Sequence, residues 1–149
     1  MSYYKNLQHI VFRTKYSKLT IPEEKKRLLL SFIYTFCQKS NVVLKRGNAY
    51  RNHVHLLLDL PLTLSIPDFI RALKSKTSAV FSHNSDFPDF EGWAKGYGCF
   101  SVSHFDSEKI INYIKNQEAH HQNRTFETEF LELLKENGIT PNKYFLKND

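Results

Sequence analysis

The sequence predicts an α+β fold: a ferredoxin-like (RRM-like) antiparallel sheet in the order β-α-β-β-α-β, with helices packed on one face and two additional C-terminal helices. Two observations carry this expectation. Stretches near residues 7–16, 41–44, 50–60 and 93–102 alternate or run apolar over strand lengths. Between the first two, and again after the third, apolar residues recur at helical spacing, and two more such segments follow the last strand.

The elements can be justified in order. In residues 7–16, Ile10, Phe12 and Thr14 fall on one side and His9, Val11, Arg13 and Lys15 on the other. A helix is expected from Thr20, which has capping-box spacing to Glu23 and Pro22 in the first turn. Leu29, Leu30, Ile33, Phe36 and Cys37 form its stripe. Residues 41–44 read as a strand, Gly47-Asn48 as a turn, and the stretch from Tyr50 as the second strand of a hairpin ended by Pro61. Ser65, with Asp68 three residues on, caps a helix whose stripe is Ile66, Phe69, Ile70, Leu73, Thr77, Val80 and Phe81. The fourth strand lies in the aromatic, glycine-interrupted stretch 93–102. Asp106 or Ser107 then caps a helix running to about His120. A final amphipathic helix buries Phe126, Phe130, Leu133 and Leu134 and ends at Asn137-Gly138. In this arrangement one sheet face stays free.

The chain of 149 residues, 41% hydrophobic, reads as a single domain over 1–149 that needs no staples. Its cysteines, Cys37 and Cys99, sit in apolar stretches without partners at metal spacing, as expected of reduced thiols in a cytoplasmic protein. No apolar run is long enough to span a membrane, and residues 1–8 carry no signal-peptide pattern. The net charge of +6 favours a polyanionic partner, most simply nucleic acid. Lys and Arg concentrate in 13–18, 25–27, 45–51 and 71–76, whereas Glu127, Glu129, Glu132 and Glu136 make the last third more acidic.

The stretch with the most chemistry is Asn52-His53-Val54-His55-Leu56-Leu57-Leu58-Asp59. Strand side chains alternate, so His53 and His55 share one face while Val54, Leu56 and Leu58 form an apolar face opposite. Two imidazoles on one face of a strand make half of a metal site, or a pair of ordinary sheet histidines. In the helix before His120-His121, Tyr113 and Gln117 are four residues apart and share a face.

A His-hydrophobe-His strand followed by Tyr-x-x-x-Gln-x-x-His-His on a helix resembles the single-tyrosine (IS200-like) transposases of small bacterial insertion sequences, members of the His-hydrophobe-His endonuclease superfamily. Residues 9–16, 69–78 and 93–102 resemble the same family's first strand, the helix after its histidine strand and its aromatic strand. Ser103-His104-Phe105-Asp106 departs from the small residues expected there.

The resemblance implies DNA strand cleavage and rejoining. Tyr113 would be the nucleophile, giving a 5′-phosphotyrosine link, and His53, His55 and Gln117 would hold Mg²⁺ or Mn²⁺. Ligand softness alone would not have chosen magnesium for paired imidazoles. The substrate would be single-stranded DNA bearing a hairpin, and the protein a homodimer. Arg13, Lys15, Lys45, Arg51, Arg71, Lys74 and Lys76 are candidate DNA contacts, with Tyr50, Trp93 and Tyr97 as stacking surfaces or core residues. Asp59, Asn52 and His120 lie near the proposed site without a role. The competing readings are a domesticated relative that nicks repeated hairpins, a non-catalytic nucleic-acid-binding module, and a structural zinc protein. The last fits poorly for want of a cysteine pair.

Overall fold

A computed structural model of the chain describes residues 1–121 and 124–142, leaving out the side chain of His120. The regular elements are β1 (Leu7–Arg13), α1 (Lys26–Lys39), β2 (Val43–Tyr50), β3 (His53–Asp59), α2 (Ile66–Phe81), β4 (Gly98–Val102), α3 (Ser107–Lys115), α4 (Gln117–His120) and α5 (Phe126–Glu136). The four strands form one antiparallel sheet in the order β2-β3-β1-β4. The fold is therefore α+β with the expected order of elements, and β3 and β1 occupy the centre of the sheet.

Alternation along the central strands decides which side chains go to which face. Ile10 and Phe12 of β1 and Val54, Leu56 and Leu58 of β3 join Leu29, Ile33 and Cys37 of α1 and Phe69, Ile70 and Leu73 of α2 in one buried cluster. Each such side chain contributes about 1.5–3 kcal/mol when fully buried. Cys37 lies deep in this layer, and burial pushes its thiol up to about 12, so it is an inert core residue.

The second face is not free. Val11 and Phe100 pack against Phe126, Leu133 and Leu134 of α5, while Leu7 and Leu57 pack against Ile114 of α3. His53 and His55 lie on this face, as strand periodicity requires, but beneath the C-terminal helices, and both are fully buried.

Several boundaries differ from expectation for local reasons. Thr20 does not cap α1. The amide of Ile21 bonds to Arg51 O at 2.9 Å, Pro22 stays extended, and a 3₁₀ turn at Glu23–Lys25 leads into the helix. Gly47-Asn48 is not a turn. The strand continues through both residues to Tyr50, after a register shift between Leu44 and Arg46, and the chain reverses at Arg51-Asn52. Gly47 is needed for space: a Cβ there would stand 3.1 Å from Leu56 Cδ2. Ser65 and Thr125 cap α2 and α5 through the amides of Asp68 and Thr128. Gly138, at φ 71°, ends α5 where a left-handed residue was expected.

The expected long helix ending at His120 breaks at Asn116 into α3 and α4. Asn48 of β2 lies beside the break. Its amide donates to Ile114 O at 2.9 Å and to Lys115 O at 3.3 Å, and its own oxygen accepts from Ala49 N at 2.9 Å. The clasp ties the end of α3 to an edge strand, so Tyr113 and Gln117 are positioned from the sheet.

Candidate active site

The site is built on β3. Asn52, at the turn into the strand, meets His53 Nδ1 through Oδ1 at 2.8 Å, and its amide nitrogen donates to Ser17 O at 3.3 Å. His55 Nδ1 lies 2.8 Å from Nε2 of His9, its neighbour on β1. The outer nitrogen of each strand histidine is thus engaged, and Nε2 of each turns toward the helices. Burial, followed by the proximity of His55, lowers His9 to about 3, so that ring stays neutral. Burial likewise dominates at His53, which is lowered to about 4.

The helices close over these nitrogens with oxygen. Gln117 Oε1 is 3.2 Å from His53 Nε2. Glu129, in the first turn of α5, sets Oε1 at 3.3 Å from His53 Nε2, 3.1 Å from His55 Nε2 and 3.3 Å from His121 Nε2. Its other oxygen accepts from Tyr113 Oη at 2.6 Å and from Gln117 Nε2 at 3.3 Å. Glu129 and Gln117 are fully buried. Burial opposes ionisation of Glu129, but the imidazoles of His121, His53 and His55 standing within hydrogen-bonding distance outweigh it and hold the carboxyl well below the usual range. The N-terminal end of a helix also favours a carboxylate there. Tyr113 responds in the opposite sense: burial first, then the Glu129 charge, pushes its hydroxyl above the ordinary range, so it holds its proton as a donor.

His53, His55 and Glu129 bring three ligand atoms within 4.8 Å of one another, a spacing at which they could hold a metal ion. A buried carboxylate costs several kcal/mol to desolvate unless partnered, and Tyr113 Oη and the Gln117 amide donate to this one.

Sequence reasoning anticipated Tyr113, His53, His55 and Gln117, and all four meet here. It gave no role to His9, His121 or Glu129. Glu129 carried a signal, since it falls between Phe126 and Leu133 on the buried stripe of its helix, an expensive place for a lone acid.

The seven basic candidates do not form one surface. Arg13 is almost buried and donates to Ser17 Oγ at 2.9 Å. Lys74 donates to Ala94 O at 3.0 Å and Gly96 O at 2.5 Å, and burial, then the charge of Arg13, lowers it to about 8. Lys15 follows Arg13 in a 3₁₀ turn, and Arg51 sits at the β2–β3 turn, donating to Leu19 O at 3.3 Å. Lys45 is on the edge strand β2, and Arg71 and Lys76 are exposed on α2, a helix packed on the face opposite the histidines. Of the aromatics, Trp93 packs on Phe12 and donates to Thr77 Oγ1 at 2.8 Å, Tyr50 stacks on His121 at 4.5 Å, and Tyr97 is partly exposed. Asp59 pairs with Lys5 at 3.3 Å, at the far end of the strand.

Residues 2–117 match the family described as "Transposase IS200 like". The chain belongs to the IS200-like transposases. It is 32% identical over 114 residues to the "Transposase for insertion sequence element IS200" of Salmonella typhimurium, an alignment covering 73% of this chain and 74% of that protein. The protein of the same description from Salmonella typhi matches equally. Among solved structures, a protein of Deinococcus radiodurans described as a transposase superposes with a TM-score of 0.58 at 26% identity, covering 78% of this chain and 93% of that one. A REP-associated tyrosine transposase bound to a REP hairpin superposes with a TM-score of 0.62 at 12% identity, covering 81% and 72%. At that identity the second likeness concerns the fold. This transposase carries His121 and Glu129 beyond the stretch matched to the family. No helix among its described residues is long and apolar enough to cross a membrane.

Proposed function

We propose that residues 1–149 act as one transposase domain that cleaves and rejoins single-stranded DNA at the ends of an insertion sequence, with Tyr113 as nucleophile. The observation that carries this reading is the convergence of Tyr113 on the histidine pair. Its hydroxyl is 2.6 Å from one oxygen of Glu129, whose other oxygen is 3.1 Å from His55 Nε2.

The Tyr113 oxygen would form a bond to a backbone phosphorus, the bond from phosphorus to the 3′ oxygen would break, and the product would be a 5′-phosphotyrosine and a free 3′-hydroxyl. The energy of the phosphodiester is kept, so another 3′-hydroxyl can reseal the strand without ATP. Glu129 Oε2, at 2.6 Å, stands where the tyrosine proton must go, and from there the proton can neutralise the leaving 3′ oxygen. Because Glu129 is held ionised, it is a weak base, and Tyr113 loses its proton only as the bond to phosphorus forms.

The donor set fits a divalent cation, since imidazole nitrogens and side-chain oxygens of His53, His55, Gln117 and Glu129 point at one another in a buried space. When bound, such an ion supplies positive charge to the scissile phosphate. Mg²⁺ or Mn²⁺ is the expectation carried by the family resemblance.

A groove of about 520 Å³ lined by Arg13, Lys95, Tyr97, Phe100, Phe126 and Phe130 adjoins the site, and Phe126 packs on His53 at 4.5 Å. Basic and aromatic walls suit a single strand. Of the basic candidates Arg13 lines it and Lys74 reaches its Gly96 and Tyr97 wall, with Lys15, Arg51, Lys45, Arg71 and Lys76 available to DNA outside it. The relative solved with a REP hairpin supports a hairpin-bearing substrate. Action as a homodimer in the cytoplasm belongs to the same reading.

The test is an adduct assay. The protein is incubated with Mn²⁺ and single-stranded DNA carrying a hairpin from an element end, then run on a denaturing gel. Wild type should give a covalent protein–DNA species that Tyr113→Phe does not. An adduct that survives Tyr113→Phe sinks the nucleophile assignment.

A further inference from the structure

The arrangement of lone pairs around His121 carries a further step. His121 Nδ1 lies 3.1 Å from Arg124 O. A carbonyl only accepts, so Nδ1 bears the hydrogen and Nε2 of the neutral ring is a bare lone pair. The same logic applies to His53, whose Nδ1 donates to Asn52 Oδ1, an oxygen oriented by the bond from the Asn52 amide to Ser17. Yet the two Nε2 atoms face each other at 3.1 Å. Both also face Gln117 Oε1 at 3.2 Å and Glu129 Oε1 at 3.3 Å. Gln117 is held in that orientation by its amide bond to Glu129 Oε2. Four acceptors thus point inward in a buried space. One added proton on one ring can serve only part of this set, whereas a multivalent cation at the centre serves all of it.

We propose that His121 is a ligand of the bound metal, completing a three-imidazole set with His53 and His55, and that the ion is a first-row transition cation rather than Mg²⁺. This rests on reading the cluster as the metal centre of the proposed function. Three imidazoles are borderline-soft donors that favour Mn²⁺, Co²⁺ or Zn²⁺, whereas Mg²⁺ prefers oxygen and keeps much of its water. His121 also has the outer support usual for a ligand: Nδ1 is anchored on a backbone carbonyl, and the ring stacks on Tyr50 at 4.5 Å with an interplanar angle of 25°. Its side chain is only 2% exposed.

The experiment loads metal-free protein with Co²⁺ alone, follows the visible absorption, and counts coordinated imidazoles by X-ray absorption spectroscopy. The expected result is one Co²⁺ per chain bound by three imidazoles in wild type and by two in His121→Ala, with a Co²⁺ spectrum unchanged by a thousandfold excess of Mg²⁺. A count of two in wild type overturns the proposal, and it can be read even where the variant does not fold. An unchanged count in His121→Ala overturns it as well, and displacement by Mg²⁺ overturns the choice of ion. If wild type binds Co²⁺ and His53→Ala does not, while His121→Ala matches wild type, this inference fails and the metal reading of the proposed function stands. If wild type binds no Co²⁺, both fail.

Discussion

The two halves of the candidate site are held in different ways. His53 and His55 belong to a central strand flanked on both sides, with Val54, Leu56 and Leu58 anchored in a dry layer beneath them. Tyr113 and Gln117 lie on the short helices α3 and α4 on either side of the break at Asn116, His121 follows α4 and Glu129 lies on α5, and they are held by polar contacts and two smaller apolar clusters. The strand half is placed by packing that would exist without the site. The helical half is placed largely by the site's own hydrogen bonds. Losing one polar partner should therefore disturb the helices far more than the sheet.

The sharpest way to break that contrast is Glu129→Ala. It removes the carboxylate that accepts from Tyr113 Oη and the Gln117 amide, and each buried donor left unpaired costs about 1–3 kcal/mol. Denaturant unfolding should show a loss of that order, with Glu129→Gln losing less. A Glu129→Ala midpoint equal to wild type would mean that α5 is held by its apolar stripe alone.

Gly98→Ala tests the apolar seam instead. A Cβ there would stand 2.8 Å from Phe130 Cε1 and 3.0 Å from the Phe100 ring. Overpacking of this kind costs about 1–3 kcal/mol. Hydrogen exchange should quicken in α5 while the amides of β1 and β3 stay protected, and uniform loss of protection would contradict two separable halves.

Asn48→Ala should cost about 1–2 kcal/mol, because the carbonyls of Ile114 and Lys115 lose their shared donor. The side-chain resonances of Gln117 and Tyr113 should move more than those of His55. Equal shifts throughout would show that the clasp does not position the helical half.

The smallest effect concerns pH. Lys74, lowered to about 8 by burial and then by Arg13, faces the Ala94 and Gly96 carbonyls and the Tyr97 ring. Between about pH 8 and 10.5 the unfolded chain binds the Lys74 proton and the folded chain does not, so stability rises with pH in that window. Below pH 8 the charged form carries its full cost. Lys74→Met should flatten this rise in pH-dependent thermal unfolding, and an unchanged slope would remove Lys74 as its source.

The strand half was legible in the sequence because a two-residue period speaks directly about facing. His53 and His55 could be paired before any coordinates, and the β-α-β-β-α-β order followed from patterning. Tyr113 and Gln117 were legible as same-face neighbours, and the break between them does not separate them from the histidines. The cover over the second sheet face was not legible, because periodicity says which side of a helix is apolar but not which sheet face it will meet. His9 looked like an isolated histidine and His121 was only the end of the Tyr-x-x-x-Gln-x-x-His-His pattern, since their meaning depends on register between strands and on a helix end. Glu129 was legible in principle, as an acid on an apolar stripe, but was absorbed into the acidic character of the last third. Gly47-Asn48 misled because turn chemistry and close packing against Leu56 both call for glycine.

The order of synthesis gives the roof over the histidines another meaning. Val102 completes the sheet, whereas His121 and Glu129 follow it along the chain. A chain emerging from the ribosome can build its sheet while the histidine face still lacks its carboxylate, since chains fold progressively as they are made. On the proposed function, an unfinished molecule would lack both a complete cutting centre and the groove wall that Phe126 and Phe130 supply. Competence to break a strand would arrive only when the last helix docks.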